Sequence, residues 1–465
     1  MLDVSSDEIT DGPLGRALAV LAAPMVAQHL VLVGQQVVDV FWVGRLGSEA
    51  VAAVGLIAPV IGLFGVGTRV GSAGGQVLVS QRVGADRLAA ARRAATHCIG
   101  FTVSVNFLLA VAVSATAVTI VGLFDPGSAV AELAAAYLGV LAFSRVTSGV
   151  SDTVEASYVG AGDSRTPMWL NFLAIGVNLC LDPFLIFGWG PFPAWGIEGA
   201  AAATLIGYGV SAAVGLALLF SARTGFSLTT AAFRPDPTTA RELLSIGLPS
   251  GGQSGVRQLA RLVVVWIVST FGGGAALAAY TIGARVASVV FVPAQALGSA
   301  ATTLVGQNLG ADRPARANRA TWLGVGIGAV GLGVLGVGQW VFPTVLAELF
   351  VPGIADETLR LTVAYLQILA YGYWALGTIY TVQAGFDGAG RTEISMYATL
   401  LQYWTVRVPV AAVGAYVFGM GALGPFWAIT VSNVVAALGM TTYFWRSTRD
   451  GMLSRAAESA GASAD

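Results

Sequence analysis

Asn178 and Asp182 stand four residues apart inside an apolar stretch, so on a helix their side chains share one face, a turn apart. Asp152 and Glu155, three apart near the end of the preceding stretch, share a face in the same way. Asp39 lies in the first apolar stretch, and Thr204 in the sixth adds a hydroxyl. Carboxylates gathered out of water bind a proton or a small cation, because mutual repulsion and desolvation both disfavour leaving all of them charged. Two carboxylates, an amide oxygen and a hydroxyl also form an all-oxygen set suited to a hard cation such as Na+. Asp39, Asn178, Asp182 and Thr204 are therefore the candidate proton or Na+ site, with Asp152 and Glu155 as further cavity acids. A static reading competes, in which the acids neutralise Arg69 and Arg145 in fixed ion pairs.

The static reading does not explain why the acids occur only once in a chain that repeats itself. Gln81-Arg82-Val83-Gly84-Ala85-Asp86-Arg87 returns as Gln307-Asn308-Leu309-Gly310-Ala311-Asp312-Arg313, an offset of 226. Pro183 returns as Pro409 at the same offset, while Pro24 and Gln28 return as Pro249 and Gln253 at 225. In this register Asp39 faces Val264 or Val265, Asn178 faces Trp404 and Asp182 faces Val408. The scaffold is duplicated and its acids survive in one half. Two homologous lobes with one ionisable site describe a secondary transporter better than an enzyme.

With 11% charged and 55% hydrophobic residues and a mean hydropathy of +0.75, the chain reads as an integral membrane protein. Its 60 glycines suit close helix packing in a bilayer. The first residues are acidic and the first apolar stretch is too long for a removable signal, so the first helix is expected to be retained. Cys98 and Cys180 have no C-x-x-C neighbour and are expected to be buried free thiols. All 24 basic residues are arginine. The net charge of −1 gives no reason to expect a nucleic-acid partner.

Stretches long enough to span a bilayer run near 17–43, 50–79, 92–121, 130–158, 166–188 and 196–220, and again near 241–270, 275–305, 317–346, 357–386, 393–418 and 421–446. With both termini cytoplasmic, the inner segments hold sixteen arginines and the outer loops only Arg45 and Arg360. The expected organisation is an N-terminal tail (1–16), an N-lobe (17–220), a linker (221–240), a C-lobe (241–446) and a C-terminal tail (447–465). Arg257 and Arg261 in the seventh span and Arg407 beside Pro409 are candidate substrate or interface contacts of the C-lobe. Pro24 is a candidate hinge in the first span. The paired GADR loops read as structural turns.

The Asp39-Val40-Phe41-Trp42-Val43-Gly44-Arg45-Leu46-Gly47 segment, the Gly160-Ala161-Gly162-Asp163-Ser164-Arg165-Thr166-Pro167 loop and Asn178-x-x-x-Asp182-Pro183, set in twelve spans, resemble multidrug and toxic compound extrusion (MATE) transporters, with the DinF-like branch nearest. The resemblance implies the MATE fold, an all-α membrane protein of two pseudo-symmetric six-helix lobes. It further implies export of amphipathic, often cationic, compounds against H+ or Na+ by alternating access, with no cofactor beyond the coupling ion. Asp39, Asn178, Asp182 and Thr204 match the family's N-lobe cation positions. Asp152 and Glu155 stand where relatives commonly have amides, and Arg257 stands near where the NorM-like branch has an acid. The implied protein is a monomer in the plasma membrane whose partners are small molecules and the bilayer.

Two other readings compete. Gly160 to Asp163 spells the G-x-G-D of intramembrane aspartyl proteases, but in a basic-side loop whose copy, Gly388-Ala389-Gly390, drops the acid. No nucleophile elbow for serine chemistry is present, so no enzyme is expected. A lipid-linked oligosaccharide flippase of related two-lobe architecture is the alternative transporter.

Overall fold

A backbone inside a bilayer must satisfy its own polar groups, which makes helices of long apolar stretches. The computed structural model describes residues 11–123, 128–221, 234–351 and 354–462, and all regular structure among them is helical. The first half runs α1 (Leu14–Gly44), α2 (Ser48–Gly84), α3 (Leu88–Ala115), the short α4 (Ala117–Gly122), α5 (Ser128–Ala161), α6 (Arg165–Phe187) and α7 (Ile197–Phe220). The second half runs α8 (Pro237–Gly310), α9 (Pro314–Val341), α10 (Pro343–Phe350), α11 (Asp356–Ala370), α12 (Tyr373–Gly388), α13 (Thr392–Leu400), a π-helix (Leu401–Arg407), α14 (Val408–Tyr416), α15 (Leu423–Arg449) and α16 (Met452–Ala462).

Eight of these helices are long and apolar enough to cross a membrane by length and composition. One of them, the 74-residue α8, is two spans joined at Gly273, whose φ of 68° only glycine adopts freely. Adding α2, the broken α11–α12 pair and the α13–π–α14 run gives the twelve spans of the fold. The duplication is visible in the bounds themselves. Both ends of α3 recur in α9 at an offset of 226, as do the C-terminus of α2 in that of α8 and the N-terminus of α7 in that of α15.

The repeated turns are structural. Asp86 and Asp312 both take left-handed backbone, with φ of 57° and 55°, and Arg87 N–H and Arg313 N–H reach back to the Arg82 and Asn308 carbonyls. Asp163, the acid of the G-x-G-D string, accepts hydrogen bonds from the Arg165 and Thr166 backbone N–H and from the Thr166 hydroxyl, so it caps α6.

The chain forms two compact units, Ala23–Gly251 and Gly252–Asp465 together with the chain up to Ala22. These bounds depart from the expected 17–220 and 241–446. The start of α1 packs Ala17, Leu18 and Leu21 with Leu297, Ala300 and Leu304, whereas the start of α8 places Leu243 and Ile246 among Val77, Leu78 and Val154. Each half therefore lends the first turns of its first helix to the core of the other unit. The handovers fall within a turn of Pro24 and Pro249.

Three further expectations are revised. Of the linker, residues 222–233 lie outside the described residues, and its last part is already helical, since Pro237 opens α8. The C-terminal tail is more than a tail: α16 buries Met452, Leu453, Ala456 and Ala457 beside Met440 and Phe444. Cys98 is buried as expected, but Cys180 is exposed. Asn178 and Asp182 claim the inward face of α6, and a residue midway between them points the other way.

Candidate functional site

Asp39 of α1 and Asp182 of α6 face one cavity of about 80 Å3, within the unit Ala23–Gly251. Thr204 of α7, Tyr137 of α5 and the apolar Val43 and Ile186 share the lining. Close to their ends, α1 and α6 are held together by aromatic contacts. Trp42 packs edge-on against Phe187 with ring centroids 5.8 Å apart, and against Trp189 at 6.4 Å. This clamp sits one turn beyond Asp39 and just over one turn beyond Asp182, so it fixes the helix segments that carry both acids.

Among the described residues, Asp39 Oδ1 and Asp182 Oδ2 are buried and have no hydrogen-bond partner. Two orphaned carboxylate oxygens on one small cavity are costly unless a proton or cation completes them. Asp39 and Asp182 bring like charge to one cavity, and among the described residues neither forms an ion pair with an arginine. Static neutralisation by Arg69 and Arg145 therefore does not describe this pair.

Asn178 is fully buried and is held on both sides of its amide. Gln35 Nε2 donates to its Oδ1 at 2.7 Å, and its own Nδ2 donates to Thr204 Oγ1 at 3.4 Å, while the Thr204 hydroxyl donates to the Ala200 carbonyl at 3.0 Å. In this arrangement Asn178 orients Thr204 more than it offers a free oxygen. Gln35 and Tyr137 are absent from the expected set. Gln35 precedes Asp39 by four residues and so shares its face of α1, which is the signal that could have found it.

Asp152 and Glu155 do not join this cavity. Tyr137, the α5 residue in the lining, lies 15 residues before Asp152, about 22 Å along a helix. Glu155 is buried and satisfied: Gln28 Nε2 donates to Oε2 at 2.6 Å and Ser151 Oγ to Oε1 at 2.9 Å, with Ser211 Oγ 2.9 Å from Ser151 Oγ. Asp152 is exposed. The four acids thus form two groups rather than one cluster. Pro24 sits inside a continuous α1, and His29 Nδ1 bonds the Met25 carbonyl at 2.7 Å, a structural role. Among the described residues no three His, Cys, Asp or Glu gather as a metal centre. Two carboxylates with a nearby hydroxyl suit a proton or a single alkali cation, carried as substrate.

The other unit has its own cavity, of about 60 Å3, lined by Arg257, Arg407, Tyr403, Gln383, Gln402 and Asn433 among others. Arg261 is outside the lining.

The chain matches the MatE family model twice, over residues 24–184 and 249–413, one match per half. The chain belongs to the MATE family. This MATE protein is 31% identical over 438 residues to a probable multidrug resistance protein NorM of Burkholderia pseudomallei, covering 92% of this chain and 91% of that one. It is 28% identical to an FAD transporter of Shewanella oneidensis, covering 94% and 95% of the two chains. Its fold matches a crystal structure of MATE in complex with MaD3S at a TM-score of 0.89, with 23% identity over 97% of this chain and 99% of that one. A MOP superfamily transporter from Pyrococcus furiosus matches at 0.87, with 24% identity and the same coverage. As a MATE transporter it is a multi-pass protein of the plasma membrane, and transport rather than catalysis is its class of activity.

Proposed function

We propose that this MATE protein is a secondary active exporter that moves amphipathic, often cationic, compounds outward in exchange for H+ or Na+. The observation that carries the reading is the pair of buried, unsatisfied oxygens of Asp39 and Asp182 on one cavity. Proton or Na+ binding there neutralises two mutually repelling carboxylates, with Thr204 as an additional oxygen and Asn178 and Gln35 as the frame. The names of the NorM relatives support a drug substrate. The orphaned acids of the first half, with Val408 standing opposite Asp182 in the second, support the DinF-like placement of the coupling site.

In this reading α1 bends near Pro24, where its N-terminal turns pass from one unit to the other, and alternating access follows. Both termini are cytoplasmic, and the protein works as a monomer.

Ethidium efflux from proteoliposomes, driven by an imposed Na+ or H+ gradient, tests the proposal. Efflux under one gradient that is lost in Asp182→Asn supports it and names the ion. Absence of efflux under both gradients, with lipid-linked sugar translocation present instead, would favour the flippase.

A further inference from the structure

Arg407 is a cation in a place that gives it no countercharge. It is 9% exposed, yet among the described residues it makes no ion pair. Its Nε donates to Ser432 Oγ at 2.9 Å and its Nη2 to Asn433 Oδ1 at 2.7 Å, both neutral acceptors, and its guanidinium carbon lies 3.9 Å from the centre of the Tyr403 ring. Arg257, across the same cavity of about 60 Å3, donates to Ser254 Oγ at 3.4 Å and is likewise without an ion pair among the described residues. Among the described residues no Asp or Glu lines the cavity; besides Tyr403 its other polar groups are Tyr380, Gln383, Gln402, Thr399 and Asn433. Gln402 Nε2 donates to Asn433 Oδ1 at 2.8 Å, so Asn433 receives two donors and is fixed toward Arg407.

The backbone is shaped to this end. Arg407 closes the π-helix Leu401–Arg407, and π-turns inside α-helices are rare and concentrate at functional sites. In the first half the corresponding segment, 175–181, is ordinary α-helix, and Asp182 of the carboxylate cavity follows it directly. In the second half it presents Tyr403 and Arg407 to the cavity, Arg407 standing one position earlier in the repeat register than Asp182. Two guanidiniums on a water-sized cavity, with donors around them and the rest of the wall apolar, lack an anion.

We propose that this cavity binds the anionic group, a carboxylate or a phosphate, of an amphipathic molecule, so that the protein's substrates include organic anions as well as cations. Arg257 and Arg407 supply the charge, Tyr403 offers a ring face and Gln383 supplies neutral hydrogen bonding. The inference rests on the exporter reading. Its chemistry is shared by soluble amphipathic anions and by the headgroups of anionic lipids.

The test is binding of 5-carboxyfluorescein and of rhodamine 6G, an anionic and a cationic dye, to the full chain in phosphatidylcholine nanodiscs with and without phosphatidylglycerol. Arg257→Gln and Arg407→Gln are expected to weaken carboxyfluorescein about tenfold or more while leaving rhodamine 6G within about twofold. Arg407→Lys, which keeps the charge, is expected to retain part of the affinity, and thermal melting checks that each variant folds. Loss of dye binding when phosphatidylglycerol is present assigns the site to a lipid headgroup; unchanged binding assigns it to a soluble anion. Failure of the wild type to bind carboxyfluorescein in both lipids, or equal weakening of both dyes in folded variants, overturns the anion site. Failure of the exporter reading is separate, since it shows as absence of gradient-driven ethidium efflux with dye binding intact.

Discussion

At the level of single residues, the proposed function places coupling on two carboxylates with one orphaned oxygen each. Asp39→Asn and Asp182→Asn are expected to fold normally and to lose ion-driven efflux, because an amide of the same shape relieves the repulsion permanently and no longer discriminates bound from unbound ion. Gln35→Leu tests the frame. Removing its 2.7 Å bond to Asn178 is expected to weaken coupling-ion binding about tenfold without abolishing it, measured as the ion concentration giving half-maximal efflux. The acids, Asn178 and Thr204 were legible in the sequence because polar groups in apolar spans stand out against their surroundings. Gln35 and Tyr137 were not, since glutamine and tyrosine are tolerated on many helix faces and only the spacing to Asp39 singles Gln35 out. Glu155 misled in the opposite direction. Its charge marks it, but its two oxygens are already satisfied by Gln28 and Ser151, which no linear spacing reveals.

At the scale of helices, packing depends on a few close approaches and buried contacts. Gly377 of α12 meets Gly328 of α9 backbone to backbone, and a Cβ on Gly377 would lie 2.2 Å from the Gly328 carbonyl oxygen. Gly377→Val is therefore expected to destabilise the second unit by about 3 kcal/mol or more, read as a lower melting temperature and poor yield. Arg82, 8% exposed at its side chain, ties α2 to the start of α8 through Glu242 at 2.7 Å and Thr239 at 3.1 Å. Glu242→Gln should cost about 1 to 3 kcal/mol by leaving that arginine without its carboxylate.

The start of α8 also carries a pH signature. Asp236 accepts from the Thr239 hydroxyl and from the Thr238 and Thr239 backbone N–H, and these bonds, the Thr239 hydroxyl first, hold its carboxyl below the usual aspartate value. A carboxyl lowered on folding stabilises above its unfolded value, near 3.9, and loses that contribution as pH falls through the lower folded one. Asp236→Ala should thus cost about 1 kcal/mol at neutral pH and progressively less below about pH 3.9, measured by unfolding in detergent at both pH values. The spans themselves were readable from length and hydropathy. The break at Ala370–Tyr373 and the π-helix were not, because no residue type forbids an α-helix there; the shift from Asp182 to Arg407 appears only once the cavities are known.

At the scale of the whole chain, duplication supplied two similar scaffolds that then diverged in charge: a carboxylate cavity in one unit and a guanidinium cavity in the other. The repeat was plain in the sequence, but the exchange of first helical turns was not, since hydropathy does not say which core a span joins. Pro24→Ala tests whether the handover in α1 has to bend. Ion binding is expected to persist while turnover falls about tenfold, because the missing hydrogen bond that eases bending is restored.

In the proposed mechanism Asp39 and Asp182 link ion binding to substrate binding, and linkage is reciprocal. The most direct measurement is the ethidium Kd of the purified protein in nanodiscs across Na+ concentration and pH, for the wild type, Asp39→Asn and Asp182→Asn. The expected result is an affinity that falls about tenfold as one of the two ions saturates, and that is independent of that ion in both variants. An ethidium affinity indifferent to both ions in the wild type, or an ion dependence that survives in both variants, would contradict it.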